Sequence, residues 1–256
     1  MEAIQLNKDI LTGLFIPFFG TTLGSGFVLF MKREFNFFME DFLTALAGGI
    51  MTAASVWSLI IPATDDSAHL GRFAFLPVCV GMIFGVLFMF VLGIFADKFF
   101  SACSQGNLQM MFAVTIHNIP EGMAVGSVLA SALEHSSKAL LASAIALAVG
   151  IGVQNIPEGA VISMPAHASG MSKKKAFAIG VLSGVVEPLG AVTALLMAQT
   201  IGVLLPYFLS FAAGSMLFVV TQQMIPGIKY KGRFPLTGLA FSLGFMIMMS
   251  LDVALA

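Results

Sequence analysis

The fold class is decided by LQMMFAVTIHNIPEGMAVGSVLASAL at residues 108–133 and by ALLASAIALAVGIGVQNIPEGAVISMPA at residues 139–166. Each segment is longer than the ~20 mostly apolar residues with which a helix crosses a bilayer. Each also carries a single acidic residue, and HNIPEG in the first segment recurs as QNIPEG in the second. The sequence therefore predicts two neighbouring membrane helices that carry the same polar motif at similar depth.

The composition extends this interpretation to the whole chain, which has 256 residues, 58% hydrophobic and 10% charged. Globular domains are nearer ~45–50% apolar and ~25% charged, so a lipid bilayer is the implied solvent. The net charge of −1 gives no basic surface for nucleic acid. Cys79 and Cys103 have neither paired nor metal-type spacing, and no prosthetic group is expected.

Windows long and apolar enough to span a membrane occur eight times. They predict an all-α membrane protein, a single domain over residues 1–256, with helices at 10–31, 42–64, 73–96, 108–133, 139–166, 176–199, 203–228 and 234–251. The sixth and seventh spans are divided on length and on Pro206 alone, because no charge occurs between Glu187 and Lys229. Merging them would give seven spans, with the termini on opposite sides.

Lysine and arginine indicate the orientation. Nine of the twelve fall in the first, third, fifth and seventh connections: Lys32, Arg33, Lys98, Lys173, Lys174, Lys175, Lys229, Lys231 and Arg233. Cytoplasmic loops carry the excess of positive charge, so we expect a plasma-membrane protein with both termini outside the cell. An anionic-lipid or regulatory patch is the alternative explanation for the three consecutive lysines.

A second repetition relates the two ends of the chain. FLTALAG at 42–48 is echoed by FLSFAAG at 208–214, and each is followed by an Ile-Pro step near the end of its span. Because spans one to three begin outside and spans six to eight begin inside, the match predicts an inverted repeat. The expected arrangement is 3+2+3, with spans four and five between the halves, as in many transporters.

The repeated motif places carboxylates where they are costly. Glu121 and Glu158 lie at depths where an ionised side chain costs ~2.5–3.5 kcal/mol on insertion scales. His117 and Gln154 precede them by four residues, and that spacing puts each pair on one helix face. His117 and Glu121 can therefore bind one cation together.

Other polar residues in the same spans extend this possible site. Asn118 and Asn155 point toward an adjacent position, and Glu187 adds a third buried carboxylate next to Pro188. Three carboxylates and an imidazole favour a borderline divalent cation such as Zn²⁺ over K⁺ or Ca²⁺. Interhelical hydrogen bonds or a simple proline kink are the alternatives, and the duplication of the motif argues against them.

Weaker candidates lie elsewhere. Met51 is one of seventeen methionines, so the sequence alone does not assign its thioether a ligand role. The cluster of Asp65, Asp66 and His69 in an outer loop is more typical of solvated charge than of a metal site. Asp252, near the outer end of the last span, is expected at the membrane interface.

These motifs resemble those of the ZIP family of divalent metal transporters, and Gln154 in place of a second histidine is similar to the GufA-like bacterial branch. The resemblance takes in SLIIPA (58–63), SGVVEPLGA (183–191), AGSMLF (213–218) and MIP (224–226). It implies eight helices with external termini. It also implies a two-metal centre between spans four and five that moves Zn²⁺ and related ions toward the cytoplasm.

The resemblance further implies which residues hold the metal. The first position would use Met51, His117, Glu121, Gln154, Glu158 and Glu187, and the adjacent one Asn118, Glu121, Asn155, Glu158 and Glu187. Asn155 stands where related sequences can have aspartate, and Gln223 where many have glutamate. The sequence does not rank Zn²⁺ against Cd²⁺, Fe²⁺, Mn²⁺ or Co²⁺, and a homodimer is left open.

Two other classes of function fit the sequence less well than transport. An intramembrane metal-dependent hydrolase could use the same His and Glu set to activate water, but the chain lacks a signature such as H-E-x-x-H. A structural or signalling membrane protein would leave three buried carboxylates unexplained. The prediction is a transporter in the lipid bilayer with a divalent metal substrate, and not an enzyme.

Overall fold

The computed structural model describes residues 2–31, 37–100, 106–168, 170–228 and 234–255, and these residues contain no β-strand. The α-helices are α1 (Glu2–Phe30), α2 (Phe37–Ala54), α3 (Ile61–Asp66), α4 (Phe75–Phe100), α5 (Gly106–Glu134), α6 (Lys138–Ala168), α7 (Lys173–Gly184), α8 (Val186–Leu196), α9 (Ala198–Val219), α10 (Ile225–Gly227) and α11 (Phe234–Leu255). The predicted all-α class is confirmed.

Several helices are long and apolar enough to cross a membrane, as a multi-pass membrane protein requires. In the described ranges there are seven such segments: Lys8–Phe30, Asp41–Asp66, Phe75–Phe95, Lys138–Ala168, Lys173–Leu196, Leu204–Gly227 and Pro235–Ala254. Helix α5 is continuous over its 29 residues but is not one of the seven.

The boundary between the predicted sixth and seventh spans falls at Met197. Helix α8 ends at Leu196, and α9 begins at Ala198. Pro206, on which the sequence division relied, lies inside α9 rather than between the helices. The two segments on either side of the break are each long enough to span a membrane.

The sixth segment is itself interrupted next to a predicted site residue. Helix α7 ends at Gly184 and α8 begins at Val186. Pro188 has no N–H to donate to the carbonyl four residues earlier, that of Gly184, which explains a break at this point. Glu187 consequently lies in the first turn of α8, where the helix dipole favours a negative charge.

Helices α2 and α9 share an irregularity that extends their short sequence match. Each passes into a π-helical turn, Ser55–Ile60 after α2 and Val220–Met224 after α9. In both, the next residue, Ile61 or Ile225, donates its N–H to the carbonyl five residues earlier, and a proline follows. Proline removes a helical donor, and a π turn is a common way to absorb that disruption.

Glycines bring helices into direct backbone contact. A Cβ atom at Gly20 would collide with the carbonyl of Gly152, and one at Gly24 with the carbonyl of Ile156. Residue numbers therefore increase together along α1 and α6, so these two helices run parallel.

Three more pairs of helices are parallel by the same test. For α4 and α9, the contacts are Gly81 with Tyr207 and Gly85 with Phe211, and for α5 and α8 they are Gly122 with Glu187 and Gly126 with Ala191. For α2 and α11, Gly49 contacts Phe241, and Ser58 in the π turn that continues α2 contacts Asp252. The bundle is thus built from four tightly packed parallel pairs within the described residues.

Candidate metal site

Helices α5 and α6 carry the repeated motif without interruption, because both remain α-helical through Pro120 and Pro157. The predicted polar residues that the structure describes are all buried: Asn118, Glu121, Gln154, Asn155, Glu158 and Glu187. Buried polar groups in a membrane segment are costly unless they are paired. Their hydrogen bonds therefore indicate what kind of ligand the site would accept.

A hydrogen bond joins the two motif helices. Gln154 Nε2 donates to Glu121 Oε1 at 2.8 Å. Gln154 Oε1 and Glu121 Oε2 are buried and have no hydrogen-bond partner. Each side chain therefore uses one polar atom to connect α6 with α5 and keeps one oxygen available.

Glu187 connects α8 to both α1 and α5. Its Oε1 atom accepts hydrogen bonds from Thr21 Oγ1 at 2.5 Å and from Asn118 Nδ2 at 3.0 Å. Its Oε2 atom is buried without a partner, and so is Asn118 Oδ1. Glu187 thus repeats the pattern of Glu121, with one oxygen held by protein donors and the other available.

The two motif asparagines make matching contacts with the backbone. Asn118 Nδ2 donates to the carbonyl of Ser183 and Asn155 Nδ2 to that of Pro17, both at 3.4 Å. The Oδ1 atom of Asn155, like that of Asn118, is buried and has no partner. In both amides the nitrogen is bonded within the protein and the oxygen remains for a positively charged ligand.

Thr21 and Glu187 occupy equivalent places in these contacts. Gly122 of the first motif packs on the carbonyl of Glu187, and Gly159 of the second packs on that of Thr21. The local sequences agree, since TTLG at 21–24 corresponds to EPLG at 187–190. Thr21 was not among the predicted site residues, although the match of TTLG with EPLG could have indicated it.

The final glycines of these two tetrapeptides confirm the equivalence. Gly24 packs on the carbonyl of Ile156, and Gly190 packs on the carbonyl of Ile119. The two isoleucines hold the same place in QNIPEG and HNIPEG. Helix α1 therefore meets the second motif as α8 meets the first.

The three buried carboxylates lie on helices in contact: Glu121 is on α5, and Glu158 and Glu187 are on α6 and α8, which both pack against α5. Like charges at short range in a medium of low dielectric constant repel strongly, so a cation among these oxygens would be stabilised. A divalent cation would offset two of the three negative charges.

Among the residues that the structure describes, no three His, Cys, Asp or Glu side chains come together in a cluster that could hold a metal ion. The side chain of His117 lies outside the described residues, as does that of Gln223. A metal between α5 and α6 would therefore also draw on amide oxygens. The available atoms are Asn118 Oδ1, Glu121 Oε2, Gln154 Oε1, Asn155 Oδ1 and Glu187 Oε2.

The remaining predicted ligand, Met51, is fully buried in α2. It belongs to the same apolar cluster as Ile151, which precedes Gln154 by three residues on α6. This packing is compatible with a core role, and a thioether contact with metal stays a prediction.

The outer candidates have different environments. Asp65, Asp66 and His69 are exposed, as expected for solvated charges, but Asp65 and Asp66 form the end of helix α3 rather than part of a loop. Asp252 is only half-buried, and its Oδ1 atom accepts a hydrogen bond from Ser58 at 2.5 Å. Asp252 therefore contacts the π turn after α2 in addition to lying near the end of α11.

Comparison with known proteins identifies the family. A family model described as ZIP Zinc transporter matches residues 105–252. Zinc transporter ZIP11 of Homo sapiens is 31% identical, over 98% of this chain and 99% of the relative. The chain belongs to the ZIP family. It is therefore a membrane transporter of metal ions rather than an enzyme, and the hydrolase alternative is wrong.

Bacterial ZIP proteins are similarly close. Zinc transporter GufA of Myxococcus xanthus is 36% identical over 78% of this chain and 80% of the relative. Zinc transporter ZIPB of Bordetella bronchiseptica is 32% identical over 93% and 78%. The predicted resemblance to the ZIP family, including its GufA-like branch, is confirmed.

Proposed function

We propose that this ZIP transporter moves divalent ions, Zn²⁺ foremost, toward the cytoplasm through two adjacent metal positions between α5 and α6. The relatives in the comparison are named zinc transporters. The proposed ligands of the first position are Met51, His117, Glu121, Gln154, Glu158 and Glu187. Those of the second are Asn118, Glu121, Asn155, Glu158 and Glu187, and no prosthetic group takes part.

The observation that carries this proposal is the set of five buried oxygens without hydrogen-bond partners, contributed by α5, α6 and α8. Leaving one buried polar atom unsatisfied costs ~1–3 kcal/mol, so five in one place would be a large penalty in a membrane protein. A cation coordinated by these oxygens offsets that penalty. Because every one of them is an acceptor, a cation fits the set and an anion does not.

The chemistry of the donors suggests how the two positions differ. The first combines carboxylates with the imidazole of His117, a set that suits Zn²⁺ and, to varying degree, Cd²⁺, Fe²⁺, Mn²⁺ and Co²⁺. The second has two neutral asparagine amides and no imidazole. With Asn155 instead of aspartate, we propose that it binds metal more weakly than the first.

We further propose eight spans, with α5 as the fourth, in one domain over residues 1–256. The parallel pairing of α1 with α6 supports this count, because two helices of one chain are parallel only when an odd number of crossings separates them. The segments of α2 with α3, and of α4, provide two crossings, and α5 provides the third. The pairs α2 with α11 and α4 with α9 also require α5 to cross.

The same pairs support the 3+2+3 inverted repeat. The repeat relates spans one, two and three to spans six, seven and eight, and it relates span four to span five. Under this relation, the parallel pair of α1 and α6 corresponds to the parallel pair of α8 and α5. In the same way, the parallel pair of α2 and α11 corresponds to the parallel pair of α9 and α4. A metal site between α5 and α6 would then lie at the interface of the repeats, where many transporters bind substrate.

For orientation, we propose a plasma-membrane protein with both termini outside. Lys173 at the start of α7 donates from Nζ to the carbonyl of Leu29 near the end of α1, at 3.0 Å. This contact supports a common side for the first and fifth connections, which carry five of the lysines and arginines. The positive-inside rule makes that side cytoplasmic, and a homodimer stays a prediction.

Zinc uptake by purified protein in liposomes tests the function and the site together. Glu121→Gln removes a charge with little change of shape, and Glu134→Gln is the matched control at the exposed end of the same helix. We expect the control to transport normally, whereas Glu121→Gln loses both uptake and tight Zn²⁺ binding. Wild-type uptake by Glu121→Gln would refute the site, and no uptake by the wild type would refute the function.

A further inference from the structure

The hydrogen bonds of Glu187 single out a residue that neither metal position includes. We propose that Thr21 is a positioning residue that restricts Glu187 to binding metal through one oxygen, and so favours small divalent ions over large ones. This inference rests on the proposed function, in which Glu187 is a metal ligand. It concerns selectivity at that site and assigns a role to α1.

The hydroxyl of Thr21 has a clear preference between its two acceptors. Thr21 is fully buried, and its Oγ1 atom lies 2.5 Å from Glu187 Oε1 but 3.5 Å from the carbonyl of Pro17. The hydroxyl proton is therefore directed to the carboxylate. Since Asn118 Nδ2 donates to the same oxygen at 3.0 Å, two donors hold Oε1 and none holds Oε2.

The position of this hydroxyl is fixed by backbone packing. Gly159 of the QNIPEG motif lies directly against the carbonyl of Thr21, to which Ser25 Oγ also donates at 2.7 Å. Threonine is β-branched, so its χ1 rotation is restricted once the backbone is held. Thr21 thus transmits the placement of α6, which carries Gln154 and Glu158, to the carboxylate of Glu187 on α8.

A carboxylate held at one oxygen has limited coordination. Zn²⁺ takes four ligands in tight geometry, often with a single carboxylate oxygen, whereas larger ions such as Ca²⁺ commonly bind both oxygens of a carboxylate. Hydrogen bonds to ligand carboxylates orient them for the metal. Cd²⁺ has the charge of Zn²⁺ and a larger radius, so we expect it to gain from two-oxygen binding if Glu187 is released.

The equivalence of Thr21 and Glu187 in the two halves gives the arrangement a simple origin. One copy of the repeated position supplies a carboxylate and the other supplies a hydroxyl that donates to it. A second carboxylate in place of Thr21 would repel Glu187 at this distance. The two copies therefore have complementary roles, one as ligand and one as orienting donor.

Thr21→Val removes the hydroxyl with little change of shape, and Thr21→Ser retains it. Thr22→Val is the matched control, because the neighbouring Thr22 hydroxyl is buried without a hydrogen-bond partner. Competition titrations of the purified proteins would measure the ratio of Zn²⁺ to Cd²⁺ affinity. We expect Thr21→Val to shift the ratio about tenfold toward Cd²⁺, within the range for outer-shell changes, while Thr21→Ser and Thr22→Val keep the wild-type ratio.

An unchanged ratio in Thr21→Val would overturn the inference while leaving the metal site in place. Glu187→Gln in the same titrations distinguishes the role of Thr21 from the ligand assignment of Glu187. Unaltered binding of both metals by this variant would refute Glu187 as a ligand. Infrared difference spectra of the Zn²⁺-loaded wild type and of Glu187→Gln provide a second readout that requires no Thr21 variant. The carboxylate stretches that Glu187→Gln removes should be those of one-oxygen coordination, and removal of a two-oxygen signal would also overturn the inference.

Discussion

Replacing Gly122 with alanine is expected to open the contact between α5 and α8 at the metal site. A Cβ atom at this position would lie 2.0 Å from the carbonyl oxygen of Glu187, whereas ordinary van der Waals contact begins at 3.4 Å. The helices must therefore separate locally by about 1.4 Å, the difference of these two distances. Overpacking of this kind typically costs ~1–3 kcal/mol of stability.

The same separation would disturb the proposed ligands. Added to the 3.0 Å between Asn118 Nδ2 and Glu187 Oε1, a shift of about 1.4 Å gives about 4.4 Å, which is beyond hydrogen-bonding range. Glu121 precedes Gly122 directly, so its distance from Glu187 should also grow. Displacements of ~1 Å can cost ~10²-fold at enzyme active sites, and we expect at least a tenfold loss of Zn²⁺ uptake here.

The assay is Zn²⁺ uptake by liposomes that contain equal amounts of inserted protein, with Zn²⁺ affinity measured in parallel. Gly26→Ala is the control, because a Cβ atom there would meet nothing within 4 Å. We expect Gly26→Ala to behave as the wild type. Wild-type uptake and affinity in Gly122→Ala would refute the proposed dependence of the site on this helix contact.

Three further outcomes follow from the site and the topology. Gln154→His should raise the Zn²⁺ to Mn²⁺ affinity ratio, because imidazole suits Zn²⁺ and oxygen donors suit Mn²⁺; an equal ratio in competition titrations would remove Gln154 from the ligand set. External acidification at fixed free Zn²⁺ should slow liposome uptake, because protons compete with metal for the ligands; faster uptake would argue for proton-coupled symport. In a cysteine-free background, cysteines at the exposed positions Ala68 and Ser136 should react with an impermeant reagent outside the cell, and one at Ser172 should not; labelling at Ser172 would overturn the orientation.

Much of the fold could be predicted because long apolar windows in a membrane protein have few structural alternatives. The break at Met197 was not predictable from the residue pattern, since no charged residue marks a loop between Glu187 and Lys229. The interruption before Glu187 had a visible cause in Pro188. Proline alone does not specify a break, however, because Pro120 and Pro157 lie within continuous helices.

The carboxylates of the site could be predicted from the free-energy cost of burying charge in a membrane, but their hydrogen-bond partners could not. Glu121 and Glu187 are recognisable because buried carboxylates need a compensating partner. That Gln154 donates to Glu121 depends on the relative placement of α5 and α6, which no spacing within one helix defines. Thr21 was not predicted, because threonine is common in membrane helices and is not distinctive by itself. Its proposed role depends on glycine contacts between α1 and α6, which the sequence of one helix does not define.

Zinc anomalous difference density from crystals of the Zn²⁺-loaded protein tests the proposed metal site most directly. We predict that the strongest peak lies between α5 and α6, within ~2.0–2.2 Å of Glu121 Oε2, the usual zinc–carboxylate distance. A strongest peak beside the exposed Asp65, Asp66 and His69, with no density between the two motif helices, would contradict the prediction.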